Sequence, residues 1–256
     1  MRSGLRPDVR LVLLSFLMLF VELALIRWAG SNVLHLSYFS NFVLLGSFLG
    51  IGIGFLRGGQ RRDLFPYALP ALAVLVAFVR LFPVEIEGAG GDLIFFGTLE
   101  TTGPPRELVL AVIFVVVAAT LACIAQGVAR TFSSFEPLEA YRLDIIGALA
   151  GIVAFTALSF LRAPPLAWGA VAGAVLLLAH LPRVTAVQVA ALAALLLLLG
   201  VETFESGASW SPYYKVTVEE GDVPFVRVNG VPHQAIFRTS KESLYARVYA
   251  SARPAR

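Results

Sequence analysis

Seven apolar stretches, at about 11–29, 36–56, 66–84, 108–129, 140–161, 165–181 and 184–201, dictate what this 256-residue chain can fold into. The first five approach or exceed the roughly 20 residues an α-helix needs to cross a hydrocarbon core about 30 Å thick. The last two are shorter and are divided by His180-Leu181-Pro182-Arg183. They fit either two thin spans or an interfacial hairpin. In lipid every backbone N–H and C=O must be satisfied within the chain, so helices are the expected form of such runs. Charged residues make up only 14% of the chain, against about 25% in an ordinary soluble domain. That is too little polar surface to face water all round. The expected fold class is an all-α transmembrane bundle of about seven helices over residues 1–203. A small antiparallel β meander over 204–256 follows it.

The cations between these runs imply an orientation. Arg2, Arg6 and Arg10 precede the first run, Arg57, Arg61 and Arg62 follow the second, Arg130 follows the fourth and Arg183 the sixth. All fall on one side, while the loop after the third run carries Glu85, Glu87, Asp92 and Glu100. Cation-rich loops stay in the cytoplasm, which places the N-terminus there and the protein in the cell membrane as a multi-pass chain. Seven spans would put the tail outside, and six would keep it inside. The same cations form no basic stripe and accompany no recognition motif, so a nucleic-acid partner is not expected. The first run is too long for a signal-peptide core, carries Glu22 and Arg27, and lacks a small-residue cleavage site, so a retained helix is expected.

Two segments outside the runs have texture of their own. The loop 85–106 is Gly-rich and acidic and reads as a solvated loop, although Leu93-Ile94-Phe95-Phe96 would suit a short hairpin or re-entrant piece. In the tail, Tyr213–Val218, Phe225–Val228 and Val231–Phe237 are rich in β-branched and aromatic residues and predict three strands. Glu220-Gly221-Asp222 predicts the first turn, and Asn229-Gly230 is the strongest short hairpin signal. A three-stranded meander of this size is marginal alone and needs something to pack on.

Polar residues within the apolar runs are the candidates for function. A charge in the bilayer costs a few kcal/mol on insertion scales, so such groups pair, line a cavity or escape to the interface. Arg27 lies near its helix end and can snorkel; Glu22 is about three turns in and either faces a polar cavity or pairs with a cation on another helix. Arg142 and Asp144 fall near the start of the fifth run, where the helix dipole favours Asp144. Gln126 is placed to hydrogen-bond across the bundle. Gly46, Gly50 and Gly54, and likewise Gly147 and Gly151, recur every fourth residue, a spacing that lets helix backbones approach closely. The single cysteine, Cys123, reads as a buried small hydrophobe. His35, His180 and His233 make no metal spacing, and the Gly-X-Gly pieces at 50–54 lie inside an apolar run rather than after a strand.

Several of these motifs together carry a family resemblance. Glu22-Leu23-Ala24-Leu25-Ile26-Arg27 followed by the Gly-rich second run, Gln126-Gly127 with Tyr141-Arg142-Leu143-Asp144 leading to Gly147 and Gly151, Trp210-Ser211-Pro212-Tyr213-Tyr214-Lys215-Val216, and Val228-Asn229-Gly230-Val231-Pro232-His233-Gln234 occur in this order. In this the chain resembles the membrane-embedded spermidine synthase-like proteins of bacteria. The resemblance implies that the tail contains the first strands of an aminopropyltransferase region. It further implies a Rossmann-like catalytic domain that binds decarboxylated S-adenosylmethionine, of which these residues hold no counterpart. Tyr213, Gln234, Glu242 and Tyr245 match pocket-lining positions, whereas Tyr214, Lys241, Ala246 and Arg247 depart from the family pattern. Cationic or neutral groups thus stand where carboxylates would hold an amine, and Arg247 would repel a diamine. No catalytic residue and no bound metal or cofactor is expected in the chain itself. The partners expected are the lipid bilayer, a separate or downstream catalytic domain and, as an open option, a second copy in a homodimer. The rival expectation is a transporter or binding protein for a small, cationic molecule, supported by Glu22 and Asp144. A third is a chain cut short of its catalytic half.

Overall fold

Proline and capping residues start the helices where the apolar runs begin. Pro7 opens helix α1 (Pro7–Asn32) at its first turn, with Asp8 beside it; the fixed φ of proline and the acidic charge both suit a helix N-terminus. Pro137 and Pro165 do the same for α5 (Pro137–Phe160) and α6 (Pro165–His180). α7 (Ala186–Thr203) begins with a capping box between Thr185 and Gln188. Between them lie α2 (Asn41–Leu56), α3 (Ala68–Leu81), which continues a 3-10 turn at Phe65–Tyr67, and α4 (Arg106–Phe132). The structure, a computed structural model, describes residues 5–34, 36, 41–82, 85–86, 101–102, 105–219 and 224–236.

Four of these seven helices, α1, α4, α5 and α7, are long and apolar enough to cross a membrane. Among the described residues, the other three are shorter than the apolar runs suggested. At 1.5 Å per residue, the 16 residues of α2 or α6 cover about 24 Å, short of a full hydrocarbon core. Proline explains two of the endings. Phe82 and Leu181 each precede a proline, a position that disfavours helical backbone, so α3 stops at Leu81 and α6 at His180. Mid-helix apolar side chains such as Leu49, Val74, Val115, Val153 and Leu197 are exposed on the outside of the bundle. An apolar exterior of this extent is compatible with a membrane protein.

α1 is the central helix and packs against α4, α5, α6 and α2, while α4 also meets α2 and α3, and α7 meets α3 and α6. Leu14, Leu17, Phe20, Leu121 and Ile124 are fully buried between them. The glycine stripes lie at two of these contacts. A Cβ at Gly50 would overlap the Ala118 backbone of α4, and one at Gly54 would sit 2.6 Å from the Ala122 carbonyl oxygen. A Cβ at Gly147 or Gly151 would strike the carbonyls of Val12 and Phe16 on α1. Gly46 meets Phe114 at ordinary contact distance, 3.4 Å.

After Thr203 the chain forms an antiparallel sheet in the order β3-β4-β5-β6, with β3 (Ala208–Trp210), β4 (Lys215–Glu219), β5 (Phe225–Val228) and β6 (Val231–Ala235). β3 was not expected from the sequence: three residues after a glycine are too few to show alternation. Asn229 (φ 51°) and Gly230 (φ 79°) make the β5–β6 turn, both in the positive-φ region that such hairpins require. The loop between α3 and α4 is not plain coil, since β1 (Glu85–Ile86) and β2 (Thr101–Thr102) pair across its base. Leu93–Phe96, the turn at 220–222 and residues 237–256 lie outside the described residues.

The bundle has two polar ends. At one, Arg10 lies 6.0 Å from the Phe65 ring, His180 stacks on Phe65, and Gln188 donates to the Pro66 carbonyl. The arginine-rich loop 57–64 is at this end. The sheet docks at the other, against the last turns of α1 and α7. About 25 Å of helix separates Arg10 from Arg27 along α1.

Candidate functional site

The sheet meets the bundle through a polar junction buried beneath it. Glu202, in the last turn of α7, is fully buried. Its carboxylate accepts a hydrogen bond from Trp28 Nε1 at 2.7 Å and one from Lys215 Nζ at 3.1 Å. Lys215, the first residue of β4, also donates to Asn32 Oδ1 at 3.2 Å and lies 3.7 Å from Glu205, which pairs with Arg80. Two carboxylates are thus matched by two cations, and the buried charges are neutralised in place. That matching is the condition under which burying charge is tolerable.

A second set of contacts surrounds the first. Ser31 donates to Asn229 Oδ1 at 3.1 Å, and the same oxygen accepts from the Lys215 backbone N–H at 3.0 Å. Arg27 donates from Nη2 to the Ser211 carbonyl. Its guanidinium lies 4.7 Å from the centre of the Trp168 ring and 5.6 Å from that of Trp210, both cation–π distances. Trp168 and Trp210 meet edge to face at 5.1 Å, and Trp168 continues to Phe155 at 5.4 Å and thence to Phe20 at 5.7 Å. An aromatic column therefore runs from the middle of the bundle to the first strand of the sheet. Arg27 does not snorkel, as its position near the helix end suggested. The docked sheet supplies it with the Ser211 carbonyl and the Trp210 ring face, and α6 supplies the Trp168 ring face.

The remaining sequence-marked residues lie apart. Glu22 is buried, and its Oε1 accepts no hydrogen bond from the described residues; neither the paired cation nor the polar cavity expected for it is seen among them. Asp144 is about two turns into α5, which starts at Pro137 rather than near residue 140. It accepts from Ser15 Oγ on α1 at 2.5 Å, so a neighbouring helix and not the helix dipole satisfies it. Arg142 is exposed. Gln126 reaches across to the loop, donating to the carbonyls of Arg57 and Arg62 at 2.9 Å each and accepting from the Leu64 N–H at 2.6 Å. Arg130 adds donors to the carbonyls of Gln60 and Arg62.

Two of the four pocket candidates are among the described residues. Tyr213 is 65% exposed and rests against Phe160, and Gln234 is exposed on the edge strand β6. Glu242 and Tyr245 lie outside the described residues. The described strands are all antiparallel. None of these described strands feeds a glycine-rich turn and helix of the kind that holds an adenosyl cofactor. Sequence reasoning missed Glu202, Lys215, Trp28, Trp168 and Trp210 as a group. The available signal was Glu202, a carboxylate at the end of an apolar run, and Lys215, one of two lysines in the chain. No family model, curated protein or solved structure matches this chain.

Proposed function

We propose that the chain is the membrane domain of a spermidine synthase-like protein, in which the helical bundle holds the leading strands of a transferase region rigidly at one membrane face. One observation carries this reading. The tail residues that bear the resemblance, Trp210, Ser211, Lys215 and Asn229, are those that contact α1, α6 and α7. In this reading the motif serves attachment, and Tyr213 and Gln234 are left exposed to meet a further domain. Aminopropyl or related S-adenosyl-dependent transfer then belongs to a Rossmann-like domain supplied by another segment or partner.

A reporter fused after Arg256 that signals on one side of the membrane tests the proposal. A cytoplasmic signal supports it, because decarboxylated S-adenosylmethionine is made in the cytosol. An external signal overturns the transferase part. The arginine bias alone expects that external outcome, since the loop that carries Arg57, Arg61 and Arg62 and the sheet occupy opposite ends of the bundle. In that case a second reading is favoured, a binding protein or transporter for a small cation. Its support is Glu22, a buried carboxylate whose Oε1 has no hydrogen-bond partner among the described residues. The cavity between α1, α3, α6 and α7 is ≈ 40 Å³ and lined by apolar residues such as Val21, Leu72 and Leu195. It has room for little more than water, so that second function requires the helices to separate.

A further inference from the structure

The outer face of α2 and α4 carries a groove of ≈ 460 Å³ whose walls are Leu49, Ile53, Phe114, Ala118, Ala119 and Cys123. Arg57 closes one end of it. The groove runs along the seam where Gly50 and Gly54 bring α2 onto α4. Its apolar walls suit a hydrocarbon chain, and the one charged residue that lines it is Arg57. The loop 57–64 holds Arg57, Arg61 and Arg62 against one carboxylate, Asp63. That carboxylate faces Arg130 at 3.8 Å. Gln126 and Arg130 hold the loop by its backbone carbonyls, and Arg57 and Arg61 stay exposed.

We infer that this groove binds an anionic phospholipid, with one acyl chain lying along α2 and α4 and the phosphate at Arg57 and Arg61. The inference rests on the membrane reading of the bundle and not on the transferase reading. Basic pockets beside membrane helices select anionic headgroups because each arginine near the surface adds favourable electrostatic energy, while the acyl chain alone distinguishes no headgroup. Charge complementarity therefore selects the occupant, and the groove fixes where its chain lies.

Native mass spectrometry of the detergent-extracted chain, with phosphatidylglycerol and phosphatidylcholine of matched acyl length, tests this. Retention of one phosphatidylglycerol under activation that strips phosphatidylcholine is the expected result. Arg57→Gln and Arg61→Gln each weaken that retention roughly fivefold. Ala119→Phe, which fills the groove from its exposed side, abolishes it while the arginines remain. Equal retention of both lipids, or phosphatidylglycerol retention unchanged in all three variants, overturns the inference. So does a dimer mass that Ala119→Phe converts to monomer, because a second copy would then occupy the face. A chain that stays in water without detergent refutes the membrane reading itself, a result distinct from a detergent-extracted chain that shows no lipid preference.

Discussion

The two polar ends of the bundle are stabilised in different ways. At the arginine-rich end, one neutral side chain, Gln126, and one half-buried cation, Arg130, bind the backbone of a loop that follows α2 directly. Arg57, Arg61 and Arg62 of that loop stay exposed. At the sheet-bearing end, the charges turn inward: Lys215 and Glu202 neutralise each other under the sheet, and Arg27 is stacked on two tryptophans. The first end orders a short loop. The second joins segments more than 170 residues apart, since Trp28 hydrogen-bonds to Glu202. Ordered loops need only hydrogen bonds, whereas a small sheet that is marginal alone must borrow burial and ion pairing from a neighbour.

The comparison is broken most severely at Lys215. Lys215→Met leaves the Glu202 carboxylate buried without its cation, and such a loss costs about 3–5 kcal/mol. Adding Glu202→Leu restores most of that stability, because the orphaned charge is gone. Thermal unfolding in detergent, with limited proteolysis of residues 204–236, checks both variants. A single variant as stable as the parent would show that the junction is not charged, or not buried. At the opposite end Gln126→Ala removes three hydrogen bonds and takes from the Leu64 N–H its side-chain acceptor, at a cost of about 1–3 kcal/mol. Hydrogen exchange should quicken in residues 57–64 and stay unchanged in the sheet; quickening at both ends would mean that they are coupled. The smallest effect is expected at Gly230, whose φ of 79° suits glycine. Gly230→Ala should cost about 1 kcal/mol and loosen β6 while leaving the Lys215 contacts intact, as read by exchange at Val231–Ala235.

Local chemistry made much of the fold legible. Apolar run length, β-branched and aromatic strand texture and the Asn-Gly pair are all local, so the helices, β4, β5, β6 and the β5–β6 turn could be read from the chain. Span number was less legible, because an apolar run does not mark where the helix inside it stops. Hydropathy placed residues 66–84 together, yet the backbone leaves the helix at Phe82, before Pro83. The candidate site was the least legible part. Arg27 and Trp210 could each be noticed, but no spacing rule links either to Trp168.

The sequence by itself determined that the chain is a helical bundle with an apolar exterior and a β-rich tail, because periodicity, apolar length and turn residues are properties of neighbours along the chain. Tertiary structure alone decided that the tail docks opposite the arginine-rich end, that the two glycine stripes serve α4 and α1 respectively, and that Glu202 receives Lys215. These depend on which distant surfaces meet. A buried charge or a missing Cβ states that a partner is required, and only packing chooses which one.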